Sequence, residues 1–151
     1  MTWHVYLSGE IHTGWREEIE AGARAAGLDA SFSAPVTDHG ASDDCGVEIL
    51  GAEPDKFWHD RKGAGVNAIR TRTLIEKADV VVVRFGDKYK QWNAAFDAGY
   101  AAALGKSLII QHGPDHAHAL KEVDEAAQAV AETPEQVVQI LRYCLTGALP
   151  A

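Results

Sequence analysis

An acidic residue interrupts a strongly apolar segment in the second half of the chain. Asp97 lies within WNAAFDAGYAAALGKSLI, residues 92–109, most of whose side chains are small or apolar. The pattern predicts a helix that starts near Asn93, an eligible cap, with Asn93 and Tyr100 on the same face as Asp97. The helix dipole is expected to favour the ionised carboxylate there, by roughly 0.3–1 kcal/mol. Such an acid is either a solvated surface charge or a nucleophile, and its spacing leaves both open.

The turn after the first predicted strand offers a second group of polar atoms. Ser8, Gly9 and Glu10 follow directly on an apolar, β-rich run. Glycine lets the backbone approach a ligand closely, and serine supplies a hydroxyl. A phosphate or sugar site and an ordinary strand-ending turn are both consistent with this turn. No GxGxxG or Walker sequence is present, so we expect no dinucleotide site and no bound cofactor.

Acidic and imidazole side chains cluster in two short segments. TDHGASDDCG brings together four candidate metal ligands, namely Asp38, His39, Asp43 and Asp44. Their spacing matches no calcium loop, and three histidines in HGPDHAH, residues 112–118, need not converge. A metal-dependent hydrolase would use the first segment, but a polar surface loop explains it as well. We therefore predict no metal site.

Two arginines lie close together in a predicted helix. Arg70 and Arg72 belong to NAIRTRTLIEK, and residues two apart differ by about 200° around a helix axis. We therefore predict that the two side chains do not face the same site. One is then available to bind an anion, and the other is a solvated surface charge.

Five apolar runs alternate with helical patterns along the chain. Predicted strands cover WHVYLSG (residues 3–9), ASFSAPV (30–36), the valine run at 80–83, KSLIIQH (106–112) and QAVAE (128–132). The valine run has no polar alternation, which is typical of a strand buried on both faces of a parallel sheet. The pattern predicts an α/β fold, a three-layer sandwich around a five-stranded parallel sheet in the flavodoxin-like order 2-1-3-4-5.

The strand order determines where a ligand is expected. In open α/β sheets ligands bind outside the carboxyl ends of the strands, where the order reverses. That point lies between the first and third strands, and it gathers the turn after Leu7 and the turn after Arg84, which contains Gly86. The helix after the third strand carries Asp97, so this carboxylate is predicted to point into the crevice.

Residues 1–151 are predicted to form one domain with a long loop at residues 35–61. The loop is rich in Asp, Gly and Pro, and it follows the second strand, so it emerges on the side of the predicted site. Its aromatic residues Phe57 and Trp58 favour a folded lid over a floppy linker.

Charge and composition restrict the possible partners. The formal net charge is −8, which argues against a broad surface for DNA or RNA polymers but permits a small anion bound by a few local arginines. The two cysteines are far apart, no signal peptide is recognised, and no apolar run is long enough to span a bilayer. We therefore expect free thiols, no membrane association and a cytoplasmic location.

Nearly the whole chain resembles the YtoQ family, through SAPVTDHGASDDCGVEILG, NAIRTRTLIEKADVVVVRFG and KYKQWNAAFDAGYAAALGK. More locally, VYLSGE, LIEKADVVVVRFG and NAAFDAGYAAALGKSLII resemble the wider nucleoside 2-deoxyribosyltransferase superfamily. The resemblance implies a nucleoside deoxyribosyltransferase-like domain with a small-molecule nucleoside or nucleotide substrate. It also implies cleavage or transfer of an N-glycosidic bond through a carboxylate, and a homodimer or higher homo-oligomer whose neighbours complete the site.

The superfamily helix has the form Gly-Thr-x-x-Glu-x-Gly-Tyr-Ala, and its Glu is the nucleophile. In this sequence Asp97 stands at the position of that Glu and is followed by the matching Gly99, Tyr100 and Ala101. Asn93-Ala94 replaces Gly-Thr, and Asp is one methylene shorter than Glu. These departures leave a second hypothesis open, a nucleotide- or nucleotide-sugar-binding protein without catalysis.

The resemblance makes Asp97 the catalytic candidate and the residues around the crevice the substrate-binding candidates. The substrate-binding candidates are Ser8, Gly9, Glu10, Asp38, His39, Asp43, Asp44, Trp58, Arg70, Gly86, Trp92 and Asn93. Among them, either tryptophan can stack on a base. Arg70, Arg84 or Lys88 can accept a phosphate. The group that protonates the departing base stays open among the acids and the histidine of this set.

Overall fold

A computed structural model describes residues 1–150, which form an α/β fold around a five-stranded sheet. The strands are β1 (Trp3–Gly9), β2 (Ala30–Ser33), β3 (Val80–Arg84), β4 (Ser107–Gln111) and β5 (Ala129–Ala131). All neighbouring pairs are parallel, in the order β2-β1-β3-β4-β5. The predicted flavodoxin-like sheet is therefore confirmed, although β2 ends three residues earlier than its apolar run.

Residues 1–150 contain six α-helices: α1 (Trp15–Ala25), α2 (His39–Leu50), α3 (Arg61–Lys77), α4 (Trp92–Ala103), α5 (Lys121–Glu125) and α6 (Pro134–Thr146). They lie on both sides of the sheet, except that α2 packs on α3. Short 3₁₀ turns occur at Lys56–Trp58 and Pro114–His116. None of the helices within residues 1–150 combines the length and the apolar character needed to cross a bilayer.

The side-chain alternation of the strands separates two hydrophobic clusters. Val5 and Leu7 of β1 pack with α1 and α6, whereas Tyr6 of β1 lies in the cluster that contains α3 and α4. The valines of β3 divide in the same way, and all four are buried. A strand covered on both faces needs no polar alternation, which explains the uninterrupted valine run.

The segment at residues 35–61 is not the long loop that its composition predicts. α2 occupies residues 39–50, and a 3₁₀ turn occupies residues 56–58. The Asp38 carboxylate caps α2 by accepting a hydrogen bond from the Ala41 backbone N–H, 2.7 Å away. α2 lacks a continuous apolar stripe because it contacts α3 mainly through glycines rather than large side chains. A β-carbon at Gly46 would overlap the backbone of Lys62 and Gly63.

Substitution of the glycine at this helix crossing tests the packing of α2 on α3. Gly46→Ala is expected to lower the free energy of unfolding by about 1–3 kcal/mol, since its new methyl group has no space. Gly65→Ala on α3 is the matched control, because nothing lies within 4 Å of a β-carbon there. It is expected to raise stability by roughly 0.5–1 kcal/mol through helix propensity. Urea denaturation of both variants measures the difference, and equal stabilities would contradict the close crossing.

Candidate active site

A cleft of about 920 Å³ opens at the carboxyl ends of β1 and β3. Its walls come from the turn after β1, from α2 and α3, from the β3–α4 loop and from the first turns of α4. This is the switch point of the sheet, because β1 connects outward to β2 whereas β3 continues in the opposite direction to β4. The cleft is large enough for a small organic ligand.

Asp97 lies in this cleft and contacts the end of β1. The Ser8 hydroxyl donates a 2.6 Å hydrogen bond to Asp97 Oδ2. Ala94, Ala98 and Ala101 of α4 are buried against the sheet. Their small side chains allow the helix to approach closely, so the short aspartate side chain reaches the strand.

The environment of Asp97 differs from that of a solvated acid at a helix start. Burial raises the pKa of Asp97, and the hydrogen bond from Ser8 opposes part of that rise. The predicted cap at Asn93 is wrong: α4 begins at Trp92, with Gln91 in the cap position and no side-chain capping bond. Asp97 is therefore in the second turn, where the dipole that we expected to favour ionisation has weakened.

Glu10 is buried and fully engaged in the turn after β1. Its carboxylate accepts hydrogen bonds from the backbone N–H of His12 at 2.6 Å, from the backbone N–H of Thr13 at 3.2 Å and from the Thr13 hydroxyl. Arg84 lies 3.4 Å from the same carboxylate. Burial raises the pKa of Glu10, but the bonds from Thr13 and His12 and the charge of Arg84 outweigh it and lower the pKa overall. Glu10 thus shapes the turn rather than offering a proton to a ligand.

Arg16 supports the same turn and was not identified from the sequence. Its buried guanidinium donates to the carbonyl oxygens of Leu7 at 3.0 Å, Glu10 at 2.7 Å and Gly9 at 3.1 Å. Gly9 has φ 120°, and a β-carbon there would overlap the backbone of Arg84. In the sequence, Arg16 is visible only as an arginine beside the apolar stripe of α1. That position alone does not indicate that the guanidinium is buried.

Tyr6 lies beneath the cleft, on the same side of β1 as Ser8. Its buried hydroxyl makes no hydrogen bond of good geometry within residues 1–150, and the Thr71 side chain is the group that comes close to bonding it. Burial raises the pKa of Tyr6 to about 12, and Thr71, Asp97 and Arg70 all lie near enough to influence it. Alternation along a strand was the sequence signal that places Tyr6 and Ser8 on one face.

The β3–α4 loop forms an aromatic rim of the cleft. The Gln91 side chain organises it, since Oε1 accepts from the Gly86 N–H at 3.0 Å and Nε2 donates to the Lys88 carbonyl at 2.7 Å. Tyr89 adopts φ 59°, and its ring lies 4.9 Å from that of His12. Trp92 lines the cleft and is 76% exposed, so its ring is available to a ligand.

Most of the predicted site residues converge, and four do not. Asp97 shares the cleft with Ser8, Gly9, Glu10, His39, Asp43, Arg70, Trp92 and Asn93. Outside the cleft lining, Asp38 caps α2, Asp44 is exposed elsewhere on that helix, and Gly86 packs against the side chain of Glu10. Trp58 packs edge-on against Phe57, with the Arg61 guanidinium 5.0 Å from its ring centre. These four residues follow strands at the predicted end of the sheet, but they do not line the cleft.

The prediction that Arg70 and Arg72 do not face the same site is wrong. Both line the cleft, together with Thr71 between them. The angular argument considered only the α-carbons, whereas a long arginine side chain can bend around its helix by several ångströms. Of the other predicted phosphate ligands, Arg84 pairs with Glu10, and Lys88 is not part of the cleft wall.

The acidic and imidazole side chains form pairs rather than a metal cluster. His39 Nδ1 lies 2.7 Å from Asp43 Oδ2 at the cleft wall. His112 pairs with Asp124 at 2.8 Å, and His116 pairs with Asp87 at 2.9 Å. Among residues 1–150, no group of three or more such side chains is arranged to hold a metal ion.

Solved structures with the same fold come from proteins of different activities. A conserved protein from Enterococcus faecalis V583 superposes with a TM-score of 0.60 at 13% identity, covering 96% of this chain and 100% of that one. A 2-deoxyribosyltransferase from Bacillus psychrosaccharolyticus gives 0.52 at 15% identity, covering 89% and 90%. DNA processing protein A from Helicobacter pylori, described as binding single-stranded DNA, gives 0.55 at 15% identity, covering 95% and 81%. At these identities the similarity shows the fold alone.

Sequence comparison is more specific than the structural comparison. Residues 6–145 match the family model described as nucleoside 2-deoxyribosyltransferase YtoQ. The protein named uncharacterized protein YtoQ from Bacillus subtilis strain 168 is 44% identical over 143 residues, covering 95% of this chain and 97% of the relative. The resemblance noted from the sequence is therefore confirmed: the chain belongs to the YtoQ family of nucleoside 2-deoxyribosyltransferase-like proteins.

Proposed function

We propose that this protein cleaves or transfers the N-glycosidic bond of a nucleoside or nucleotide, with Asp97 as the nucleophile or cation stabiliser. The observation that carries the proposal is the position of this carboxylate. It is partly buried in the switch-point cleft and held by Ser8. The family supports the same chemistry, since Asp97 stands at the position of the superfamily's nucleophilic glutamate.

The chemistry follows from the charge that develops during bond cleavage. As the bond between the anomeric carbon and the base nitrogen breaks, its electron pair leaves with the base and positive charge develops on the sugar. The ionised Asp97 stabilises that charge or forms a bond to the anomeric carbon. Ser8 holds Oδ2, which leaves Oδ1 to approach the sugar. Water or a second base then takes the sugar and regenerates the carboxylate.

The departing base needs a proton or a hydrogen-bond donor. Of the candidates from the sequence, only the His39–Asp43 pair both lines the cleft and remains accessible. Asp38 is used as a helix cap and Glu10 is buried in its turn. We therefore assign the His39–Asp43 pair to the base and Trp92 to stacking against it.

The second hypothesis, a nucleotide- or nucleotide-sugar-binding protein without catalysis, is supported by the residues that differ from the superfamily helix. Asn93 and Ala94 line the cleft where Gly and Thr stand in the superfamily. A nucleophile must approach its target within about 3–3.5 Å, and aspartate is one methylene shorter. The buried alanines of α4 offset this shorter reach by letting the helix lie close to the sheet, so we favour the enzyme.

We also propose a homo-oligomer in the cytoplasm. Tyr89, Trp92 and Phe96 are 75%, 76% and 60% exposed on one rim of the cleft. Exposed aromatic clusters of this kind are typical of protein interfaces. A second copy that covers this rim would complete the cleft wall, as the superfamily resemblance implies. Cys45 and Cys144 form no disulfide in the structure, which supports a reducing compartment.

Removal of the Asp97 charge tests the proposed chemistry. Asp97→Asn keeps the size and the acceptor for Ser8, but it is expected to reduce base release from nucleosides or their monophosphates by at least about 10³-fold. Chromatography of a panel of ribo- and deoxyribo-substrates measures the release. Asp44→Asn, an exposed acid on α2 outside the cleft lining, is the matched control.

The same panel separates the enzyme from the binding protein. Absence of turnover above the Asp97→Asn background would contradict the enzyme. A ligand-induced thermal shift without product, undiminished in Asp97→Ala, would establish the binding protein instead.

Substitution of Ser8 tests how Asp97 is kept ionised. Because burial raises the pKa of Asp97, the rate should increase as the pH rises through a range above that of an ordinary aspartate. Ser8→Ala removes the hydrogen bond that lowers this pKa, so the acidic limb of the kcat profile should move to higher pH. Ser107→Ala, exposed at the opposite end of β4, should leave the limb in place. An unmoved limb in Ser8→Ala would show that another group controls it.

Light scattering coupled to size-exclusion chromatography tests the oligomer. We expect a dimer or larger assembly, and Phe96→Arg is expected to weaken it because a charge would be buried at the rim. Arg142→Glu on α6, remote from the rim, serves as the control for a surface charge change. A monomer across the concentration range would contradict the proposed interface.

A further inference from the structure

Two arginine side chains reach the cleft without an acidic partner. Within residues 1–150, the only hydrogen bond of the Arg70 side chain is one of 3.2 Å to the Ala34 carbonyl. The Arg72 guanidinium lies 6.0 Å from the ring centres of Phe96 and Tyr100. Neither forms an ion pair within residues 1–150. Both side chains are exposed and line the cleft, so each guanidinium is accessible to a ligand that enters it.

The helix geometry places these arginines on either side of Thr71. Thr71 lies between them and faces the cleft, and each arginine is about 100° from it around α3. Arg70 extends toward the segment after β2, where it meets Ala34, and Arg72 extends toward α4. The two guanidinium groups therefore flank the opening above Thr71. Lys90 adds a third cation from the β3–α4 loop.

The acids in the cleft wall, in contrast, already have partners. Glu10 is paired with Arg84, Asp43 with His39, and Asp60 with His59 at 3.3 Å. Asp97 accepts its hydrogen bond from Ser8. The positive charges that remain available to a ligand are those of Arg70, Arg72 and Lys90.

The cationic side chains and the carboxylate lie within reach of one ligand. Arg70, Arg72, Lys90 and Asp97 all line the same cleft. Its volume of about 920 Å³ is that of a site for a small molecule rather than for a polymer.

We propose that the substrate is phosphorylated, and that Arg70 and Arg72 bind the phosphate of a nucleoside monophosphate whose anomeric carbon faces Asp97. The assignment rests on the proposed function and selects nucleotides over nucleosides within it. Arginine suits this role because its planar guanidinium matches phosphate oxygens with two parallel hydrogen bonds. Lys90 contributes a point charge from the β3–α4 loop.

The test compares a nucleoside with its monophosphate in charge-neutral arginine variants. In Arg70→Gln and in Arg72→Gln, the ratio of kcat/KM for the monophosphate to that for the nucleoside should fall about 10- to 100-fold, mostly through KM. Arg24→Gln, an exposed arginine at the end of α1, should keep the wild-type ratio. A wild-type enzyme that prefers the nucleoside, or an unchanged ratio in both cleft variants, would overturn the phosphate site.

A binding experiment keeps this inference separate from the proposed reaction. Calorimetric titration of the Asp97→Asn protein with a nucleoside monophosphate needs no turnover. Binding should weaken about 10- to 100-fold in the Arg72→Gln background and should weaken with added salt. Titrations with the nucleoside and with inorganic phosphate distinguish a nucleotide site from a site for free phosphate. If no substrate is turned over but this binding is observed, only the catalytic proposal fails; if turnover is observed without this binding, only the phosphate site fails.

Discussion

The buried guanidinium of Arg16 is the interaction on which the site depends. Three carbonyl oxygens at the end of β1, those of Leu7, Gly9 and Glu10, lie where the chain leaves the sheet and need donors. Arg16 supplies all three. Burial lowers the pKa of Arg16, but an arginine keeps its proton at neutral pH. The turn is therefore held by a permanently charged donor, together with the Trp15 indole N–H, which also donates to the Glu10 carbonyl, and with the hydrogen bonds that the Glu10 carboxylate accepts.

The fixed turn determines what the neighbouring strand and helix can do. Gly9 passes against Arg84 so closely that no side chain would fit, and this contact brings β1 and β3 together at the mouth of the cleft. Ser8 is then directed toward α4, where it meets Asp97. The small residues of α4 complete the arrangement, since larger ones would move the carboxylate away from the strand. The geometry of one hydrogen bond thus depends on a buried arginine, a glycine and a row of alanines.

The ionisation of Asp97 has a cost in stability, which is typical of a functional group. Its folded-state pKa is raised, so the folded state binds its proton more tightly than the unfolded chain does. Stability is then greatest below the ordinary aspartate range and falls as the pH rises through the raised pKa. An asparagine would accept the same hydrogen bond from Ser8 without this loss. A structural role alone does not explain why the position carries an acid.

The sheet and the position of Asp97 were predictable because they follow from local patterns. A buried valine run, strands alternating with helices and a glycine turn are properties of short segments, and together they specify the switch point. α2 was missed because its contact with α3 uses Gly46 and Gly63 rather than an apolar stripe. The role of Arg16 was missed because only the folded chain brings a residue of α1 to three carbonyls of β1.

Arg70 and Arg72 show that the angle between two helix positions does not decide whether their side chains line the same cleft. The separation of about 200° describes the directions of the two α-carbons around the helix axis. Because the cleft is wider than α3, long side chains from both sides of that helix can reach it. The position of Thr71 between Arg70 and Arg72 was visible in the sequence. What the sequence lacked was the placement of α3, whose cleft-facing side is defined by Tyr6 and α4.

Global and local charge have opposite effects on the choice of ligand. A net charge of −8 disfavours the approach of a polyanion, and this repulsion acts over about 8 Å at physiological ionic strength. A single phosphate that enters the cleft instead meets Arg70 and Arg72 at short range, and neither guanidinium is in an ion pair among residues 1–150. The repulsion between the protein and a long nucleic acid increases with each phosphate group of the polymer. The two arginines in the cleft, in contrast, attract a single phosphate group. With the proposed phosphate site, the net charge would disfavour a nucleic-acid polymer while the cleft binds a single nucleotide, so the acidic surface would contribute to the specificity for a small ligand.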